Sequence, residues 1–365
     1  MKVLIICEDT NGMDGWSKYS KLLEDGLIKN GHTVQVCQTG LLLRPIKYLS
    51  NPLNAIISAI KIKNIIKDFN PDIIHITVEP FAMIFAFLNR KILQKTILTI
   101  HGTYGIKPIK NWISRPFAKI YYKRIRSFIC VSNYTKQKVA EAIKKYAGES
   151  LSKRFESNVI VIKNGIKIRP TYSDAKHDRN ILLVGGVKYR KGVIQAIEAC
   201  YQYKEIYKKP FHLFVVGQIN NSKYVADAKI KIIELGLSNE VTLTGKASEK
   251  ELENYYEKSN LFLMPSLTKD DNFEGFGIVY LEANAYGIPC IGPNNSGAME
   301  AINNNYSGYH TDPHDPKHIA ECIHKILDLN TIETINCREW AEKHRIENSI
   351  KEIEDLYVHV KNLAI

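Results

Sequence analysis

Short runs rich in isoleucine and valine recur along the chain, and a segment of helical length follows each run. Apolar runs of this length between turn signals are typical of buried strands. The first series comprises residues 2–7, 33–37, 72–77, 96–101, 128–132 and 159–162. The second series comprises residues 181–184, 212–216, 241–244, 261–264 and 289–291. Strands that alternate with helices predict α/β domains with parallel sheets, which bind ligands at the carboxyl ends of their strands.

A polar segment without hydrophobic periodicity, from Ile168 to Arg179, separates the two series. Such a segment, here with a proline, is typical of a domain boundary. The chain has 365 residues, which is enough for two domains with separate hydrophobic cores. We therefore predict one domain over residues 1–168 and a second over residues 169–339. The tail, about residues 340–365, has the periodicity of an amphipathic helix.

The composition is that of an ordinary folded protein, because 45% of the residues are hydrophobic and 24% are charged. The seven cysteines form no C-x-x-C pair and lie mostly in apolar runs. They indicate buried thiols in a reducing compartment, without disulfides or a zinc site. The chain begins with a strand pattern and no cleavable signal, and its longest uncharged apolar run, near Phe81 to Leu88, is too short to span a bilayer. We predict a cytoplasmic protein.

The net charge of +12 predicts an anionic substrate or partner. Nucleic acid is not predicted, because the chain carries no recognisable nucleic-acid-binding motif. The segment 107–126 contains seven basic residues and no acidic one, with apolar residues interleaved at helical spacing. Such a helix either lies on an anionic membrane surface, here the inner face of the plasma membrane, or packs its apolar stripe into the core with its lysines solvated. The interleaved apolar residues are Ile109, Trp112, Ile113, Phe117, Ile120 and Tyr121.

The stretch FEGFGIVYLEANAYG, residues 273–287, follows an apolar run that ends in Pro-Ser and so predicts a strand, a loop and a helix. Gly275 and Gly277 leave the backbone bare where the helix begins, and the unpaired N–H groups of a helix start favour a phosphate. Glu274 stands at the edge of this site, and Glu282 follows eight residues later beside apolar surface. A carboxylate there needs hydrogen-bond donors, such as the two hydroxyls of a ribose. The alternative is an amphipathic helix with one loop glutamate and one salt-bridged glutamate.

The pattern E-x7-E in the form EGFGIVYLE resembles the signature of retaining glycosyltransferases of family four. The likeness extends over most of the chain. It implies the GT-B fold, in which two Rossmann-like β/α/β domains have parallel sheets that face each other across a cleft. The resemblance further implies that the first domain binds the acceptor, the second binds the nucleotide-sugar donor, and the final helix crosses back onto the first domain.

The resemblance also implies roles for individual residues. In the first domain, Gly15 lies close to the donor diphosphate, and His101 orients the donor sugar and the acceptor as a catalytic residue. In the second domain, the catalytic Glu274 contacts the donor sugar and Glu282 holds the ribose. Donor binding is further assigned to Gly275, Phe276, Gly277, Gly297 and Glu300.

The sharpest departure from the family lies in the turn GGVKYRKG. The family pattern is G-R-x-x-x-x-K-G, whose arginine and lysine bind the donor diphosphate. Lys191 is kept, but Gly186 stands at the arginine position. Loss of a bidentate phosphate contact costs about 1.5 to 3 kcal/mol when no residue replaces it. Arg190 and Lys188 are near enough in sequence to replace it, and Arg190 is assigned to donor binding together with Lys191.

These features predict a retaining, metal-independent glycosyltransferase that uses a UDP- or GDP-sugar and has no obligatory cofactor. No D-x-D metal motif stands at a predicted strand end. Abundant lysine, isoleucine and asparagine favour an AT-rich bacterial genome, so we expect a saccharide or lipid-linked saccharide acceptor in surface polysaccharide synthesis. The alternatives are a degenerate GT-B nucleotide-binding or scaffold protein, which Gly186 favours, and a GT-B phosphorylase or epimerase. An NAD-dependent oxidoreductase is not predicted, because the G-x-G-x-x-G fingerprint is missing.

Overall fold

The computed structural model describes residues 1–10, 15–38, 52–168 and 179–363. The chain divides into two compact units. The first unit consists of Met1–Gly165 together with Ile346–Ile365, and the second consists of Ile166–Arg345. Most of the predicted boundary segment, from residue 169 to residue 178, lies outside the described residues.

Six strands among the described residues of the first unit form one parallel sheet. They are β1 (Lys2–Ile6), β2 (Thr33–Cys37), β3 (Ile73–Ile76), β4 (Thr96–Ile100), β5 (Ser127–Cys130) and β6 (Val159–Val161). Their order across the sheet is β2-β1-β3-β4-β5-β6. Every residue of β3, β4 and β5 is buried, because helices cover both faces of a parallel sheet. The six strands predicted in this half of the chain are therefore confirmed, with small differences at their ends.

Helices of the first unit pack on this sheet. They are α1 (Gly15–Lys29), α2 (Pro52–Phe69), α3 (Ala82–Phe85), α4 (Arg90–Gln94), α5 (Thr103–Lys110), α6 (Arg115–Arg124), α7 (Asn133–Ala147) and α8 (Glu149–Ser157). The side chain of Ser132 starts α7 by accepting a hydrogen bond from the Thr135 amide at 3.0 Å. Such a cap satisfies an N–H group that has no partner inside the helix.

The second unit has the same layout, with six strands in one parallel sheet within residues 179–345. They are β7 (Asn180–Val184), β8 (His212–Val216), β9 (Val241–Gly245), β10 (Leu261–Leu263), β11 (Cys290–Pro293) and β12 (Gly308–Thr311), in the order β12-β11-β10-β7-β8-β9. The helices are α9 (Val193–Tyr207), α10 (Lys223–Glu234), α11 (Glu249–Glu257), α12 (Ile278–Ala285), α13 (Pro316–Leu327) and α14 (Thr334–Lys343). Asp315 caps α13 by accepting a hydrogen bond from the His318 amide at 3.0 Å.

The strand β12 is not among the predicted strands, whereas the other five of this sheet are. It pairs with β11 at the edge of the sheet. Tyr309 and His310, its two central residues, are only half-buried. An edge strand of four residues is held by main-chain pairing on one side, so its sequence carries no apolar run from which to predict it.

The final helix, α15 (Ile346–Leu363), packs inside the first unit. A Cβ on Gly26 of α1 would lie 1.8 Å from Ile350 Cδ1, so the two helices approach closely at that glycine. The ring of His75 on β3 lies 2.6 Å from the Tyr357 hydroxyl through Nδ1 and 2.7 Å from the Thr99 hydroxyl through Nε2. Side chains of α15, β3 and β4 are thus joined in a buried chain of hydrogen bonds.

The basic segment 107–126 is two helices, and the single helix predicted from its spacing is wrong. The helix α5 ends at Lys110, and α6 begins at Arg115. Between them the Asn111 side chain accepts a hydrogen bond from the Ile113 amide at 2.9 Å. A side chain that binds the backbone locally in this way competes with helical hydrogen bonds and turns the chain.

The apolar residues of this segment divide between core and surface. Ile109 and Tyr121 are buried and Phe117 is half-buried, as the core interpretation predicts. Trp112 and Ile113, in the link between α5 and α6, are 77% and 46% exposed. The apolar residues of this segment therefore pack into the core along α5 and α6 and are exposed to solvent in the link between these helices.

The core of each unit lies between its sheet and the helices that cover it, with Leu23 on α1 and Ile197 on α9 as fully or nearly fully buried examples. All seven cysteines fall within the described ranges and are buried, as predicted. No helix in the described part of the chain is both long and apolar enough to cross a membrane.

Candidate active site

A glycine-rich turn follows β7 in the second unit. A Cβ on Gly185, whose φ is +150°, would lie 3.0 Å from Lys191 Cε. A Cβ on Gly217, after β8, would lie 2.2 Å from the Gly185 carbonyl oxygen. At the end of the turn, Gly192 has a φ of +68°, and a Cβ there would lie 2.0 Å from the Pro265 carbonyl oxygen. Glycine is therefore required at these positions, and the close packing seats the Lys191 side chain against the turn.

Two cations converge on Glu274, and we name Arg190, Lys191 and Glu274 the cation–carboxylate cluster. Arg190 Nη1 donates a hydrogen bond to Glu274 Oε2. Lys191 Nζ donates to the same oxygen at 2.9 Å. The side chains of Lys191 and Glu274 are 11% and 13% exposed, whereas that of Arg190 is 29% exposed. Three predicted site residues thus lie together, and their charges sum to one positive charge.

Charge keeps Glu274 ionised despite its burial. Burial alone raises the pKa of the Glu274 carboxyl, but Arg190 and Lys191 outweigh this effect and hold that pKa at about 2. Burial lowers the pKa of the Lys191 ammonium, and attraction to Glu274 opposes that change. A carboxylate with so little proton affinity is a poor general base at neutral pH. It is suited to holding cations and accepting hydrogen bonds.

The helix α12 begins directly after the Gly275–Gly277 loop, where the sequence predicts a helix start. A Cβ on Gly277, whose φ is +81°, would lie 2.7 Å from the Tyr280 ring, so this ring packs over bare backbone. The Tyr280 hydroxyl donates to the Met264 carbonyl oxygen at 2.5 Å, just after β10. Phe276 is buried. These contacts fix the loop and leave the first N–H groups of α12 beside it.

Glu282 lies half-buried on α12. The Tyr256 hydroxyl donates to Glu282 Oε2 at 3.2 Å, and burial together with this carboxylate raises the pKa of Tyr256 well above its usual value. Leu281 and Ala285 on the same helix are buried, so Glu282 borders apolar surface as predicted. Ile278 is only half-buried, because it is the first residue of the helix rather than part of its interior.

A loop after β11 meets Glu274 through the main chain. The Gly297 amide donates to the Glu274 carbonyl oxygen at 2.9 Å. The Ser296 hydroxyl accepts from the Ala298 amide at 3.3 Å and starts a short 3-10 helix over Gly297–Ala301. Glu300 lies half-buried on this short helix. Gly297 is thereby held against the cation–carboxylate cluster, and Glu300 belongs to the same turn.

Gly15 is the first residue of α1 and is exposed. A Cβ at this position would have no described atom within 4 Å. Packing among the described residues therefore does not demand a glycine here.

In the first unit, His101 follows β4, and main-chain contacts fix its ring. Nε2 of His101 donates to the Thr77 carbonyl oxygen at 2.9 Å, which leaves Nδ1 as the acceptor of the neutral ring. Burial lowers the pKa of His101 to about 4, and the hydrogen bond to Thr77 opposes this only in part. The Tyr19 ring contacts the imidazole edge-on, with 4.8 Å between centroids. The imidazole is therefore neutral at pH 7.

Glu79 is a buried carboxylate that none of the sequence patterns above predicts. Its Oε1 accepts hydrogen bonds from the amides of His101 and Gly102, at 2.6 and 3.0 Å. Its Oε2 is buried without a hydrogen-bond partner among the described residues. Burial raises the pKa of Glu79 to about 7, although these amides act in the opposite direction. A signal for it exists in the sequence, because ITVEPF places a lone charge at the carboxyl end of an apolar strand.

Comparison with known proteins identifies the class. Residues 13–168 match the family model described as Glycosyltransferase Family 4, and residues 166–346 match that described as Glycosyl transferases group 1. An uncharacterised glycosyltransferase of Methanocaldococcus jannaschii is 28% identical over 314 residues, which are 84% of this chain and 80% of that protein. The amylovoran biosynthesis glycosyltransferase AmsK of Erwinia amylovora is 32% identical over 163 residues, which are 44% of this chain and 38% of that protein. HepE of Anabaena, solved in complex with UDP and glucose, has a TM-score of 0.73 at 17% identity, over 98% of this chain and 100% of that chain.

The chain is therefore a glycosyltransferase with the GT-B fold. The predicted fold class and the predicted enzyme class are confirmed.

Glu79 predicts a pH dependence of stability. Its pKa rises from an ordinary value of 4.5 to about 7 in the folded protein, so the folded state holds a proton on Glu79 more tightly than the unfolded state does. This contribution is complete below the unfolded pKa and is lost as the pH rises through the folded pKa. Glutamine keeps an oxygen for the two amides and does not ionise. Between pH 5 and pH 8, we expect the unfolding free energy of the wild type, relative to Glu79→Gln, to fall by about 1 to 3 kcal/mol.

Urea unfolding of both proteins across this pH range measures the difference. The control is Glu141→Gln, because Glu141 lies in the same unit with its side chain 53% exposed. We expect the unfolding free energies of the control and the wild type to change with pH in parallel. A difference between wild type and Glu79→Gln that stays constant with pH would contradict the assignment.

Proposed function

We propose that this chain is a retaining glycosyltransferase of family four that transfers a sugar from a nucleoside-diphosphate donor to a saccharide or lipid-linked saccharide acceptor. The observation that carries the proposal is the cation–carboxylate cluster at the loop before α12. Two cationic side chains and the N–H groups of a helix start together supply positive potential there. A diphosphate leaving group is a ligand that such an arrangement stabilises.

The donor chemistry follows from this placement. As the bond between the sugar and the diphosphate breaks, negative charge develops on the diphosphate and the sugar gains oxocarbenium character. Phosphate oxygens compete with Glu274 for Arg190 and Lys191, which therefore bind the leaving group. The bare backbone of the Gly275–Gly277 loop allows close approach. Glu282, beside Tyr256, accepts hydrogen bonds from the ribose hydroxyls.

The carboxylate and the imidazole take different roles in this proposal. The low pKa of Glu274 makes it a weak base, so we assign it to the hydroxyls and the developing positive charge of the donor sugar rather than to proton removal. The Nε2–H group of His101 is committed to the Thr77 carbonyl. We assign its Nδ1 to accepting a hydrogen bond from a substrate hydroxyl, which orients the sugar without a proton transfer.

The acceptor class rests on similarity. AmsK, a relative by sequence, is named for amylovoran biosynthesis, and we extend polysaccharide assembly to this chain on that ground. A saccharide acceptor also fits a site whose polar groups accept hydrogen bonds from hydroxyls.

The products of the reaction separate this proposal from its alternatives. With a UDP- or GDP-sugar and octyl glycosides of common hexoses as acceptors, we expect nucleoside diphosphate release and a product with the anomeric configuration of the donor, read from its NMR coupling constant. Phosphate-dependent release of a sugar phosphate would instead indicate a phosphorylase, and isomerised donor an epimerase. Nucleotide binding without any turnover would indicate a scaffold protein.

The role of Glu274 is tested in the same assay. We expect Glu274→Gln to lower turnover by about 100-fold, because the variant loses a charge that acts in the transition state. The control is Glu249→Gln, an exposed glutamate of the same unit, which should keep the wild-type rate. Wild-type turnover in Glu274→Gln would remove this residue from the site.

We also propose that the first unit binds an anionic membrane surface. Trp112 and Ile113 are exposed in the link between α5 and α6. The segment 107–126 adds seven basic residues and no acidic one. Exposed apolar side chains among lysines and arginines are the combination that binds anionic lipid.

Vesicle binding tests the membrane proposal. In Trp112→Ser/Lys119→Glu/Lys123→Glu, we expect binding to phosphatidylglycerol-containing vesicles to fall by about tenfold or more, since each basic residue near the surface contributes about 1 kcal/mol. Lys229→Glu/Lys250→Glu makes the same two charge reversals at exposed positions of the second unit and should bind as the wild type does. Equal binding by all three proteins in a sedimentation assay would contradict the proposal.

A further inference from the structure

Position 186 is a glycine that neither backbone conformation nor packing requires. Gly186 is not among the described glycines with a positive φ. A Cβ there would have its nearest described neighbours in Gln218, at 3.4 Å from the carbonyl oxygen and 3.9 Å from Cβ. These distances are ordinary van der Waals contacts. The turn therefore has room for a Cβ at position 186 and carries none, in contrast to the crowded Gly185 and Gly192 of the same turn.

Arg190 brings a second cation to the site from further along the same turn. Its Nη1 and the Nζ of Lys191 donate to one oxygen of Glu274, so both cationic groups lie within hydrogen-bond distance of a single atom. The main chain at Arg190 is also anchored, because its carbonyl oxygen accepts from the Leu267 amide at 2.9 Å. A guanidinium has five N–H donors, and the Arg190 side chain is 29% exposed. It therefore has donors and solvent access for a ligand as well as for Glu274.

Lys188 is the other cation of this turn. It is exposed, and its effect on the pKa of Glu274 is smaller than the effects of Arg190 and Lys191. An ammonium is a point charge, whereas a guanidinium is a planar fork that can bind two phosphate oxygens at once, so Arg190 is the stronger candidate for a fixed phosphate contact.

We infer that Arg190 supplies the second diphosphate contact that position 186 lacks, and that Glu274 holds Arg190 and Lys191 together until the diphosphate binds. The inference rests on the proposed function, because it takes the ligand to be a nucleoside diphosphate. The second cation of the turn then stands four residues after position 186, next to Lys191, and the site carries two positively charged side chains. A planar guanidinium can still bind two phosphate oxygens from the new position.

The test is a set of calorimetric titrations with UDP and GDP. We expect Arg190→Ala to weaken binding of the preferred nucleoside diphosphate by about 10-fold to 100-fold. Lys188→Ala is the matched control and should stay within about threefold of the wild type. In Gly186→Arg/Arg190→Ala, a guanidinium returns to the turn at the open position, and we expect most of the lost affinity to return.

A second ligand distinguishes a phosphate contact from a structural role. The corresponding nucleoside monophosphate has one phosphate fewer, so the preference for diphosphate over monophosphate should shrink in Arg190→Ala and return in the double variant. A general loss of folding would weaken both ligands equally and would not be rescued by an arginine at position 186. Thermal melting without nucleotide checks that each variant is folded.

The outcomes separate the inference from the proposed function. If the wild type binds a nucleoside diphosphate and Arg190→Ala binds it within threefold as well, the inference is wrong and the function stands. A larger loss in Lys188→Ala than in Arg190→Ala would overturn it in favour of Lys188. A double variant as weak as Arg190→Ala would show that the two positions are not equivalent, which also overturns it. If the wild type binds no nucleoside diphosphate, the proposed function itself fails.

Discussion

The candidate site of the second unit depends on the burial of one carboxylate under two cations. A carboxylate as buried as Glu274 is costly unless it is paired and hydrogen-bonded. The turn after β7 supplies both partners, and the glycines at 185 and 192 let that turn pack closely enough to do so. The Gly297 amide then ties the loop after β11 to the same residue. Three loops at the carboxyl ends of neighbouring strands are thus joined through Glu274, in the part of a parallel sheet where ligands bind.

The two units stabilise a buried carboxylate in opposite ways. Cations hold the pKa of Glu274 at about 2, so it stays charged. Glu79 has two amides as partners, and burial dominates, which raises its pKa to about 7. The first arrangement preserves a fixed charge beside a proposed anionic leaving group. The second holds the main chain at His101, whose own pKa is lowered to about 4, so that imidazole is neutral at pH 7.

Much of the fold was predictable from the sequence because strands such as β3 and β4, buried on both faces, form unbroken apolar runs. The edge strand β12 gave no such signal. The helix break at Asn111 was hidden because one side chain, not the hydrophobic pattern, decides it. In the candidate active site, the glycines and cations of the turn after β7 stand close together in the sequence, so a local pattern is enough to predict them. The contact of Arg190 with Glu274 spans 84 positions and that of Glu79 with His101 spans 22, and no local pattern encodes a partner so far away.

The central claim is that the cation–carboxylate cluster binds the diphosphate of a sugar nucleotide. A crystal structure of the wild-type protein with its preferred nucleoside diphosphate tests this most directly. We predict phosphate oxygens within hydrogen-bond distance of the Arg190 guanidinium and Lys191 Nζ, and ribose hydroxyls at Glu282. Phosphates bound elsewhere on the chain, with Arg190 and Lys191 still engaged only with Glu274, would contradict the account.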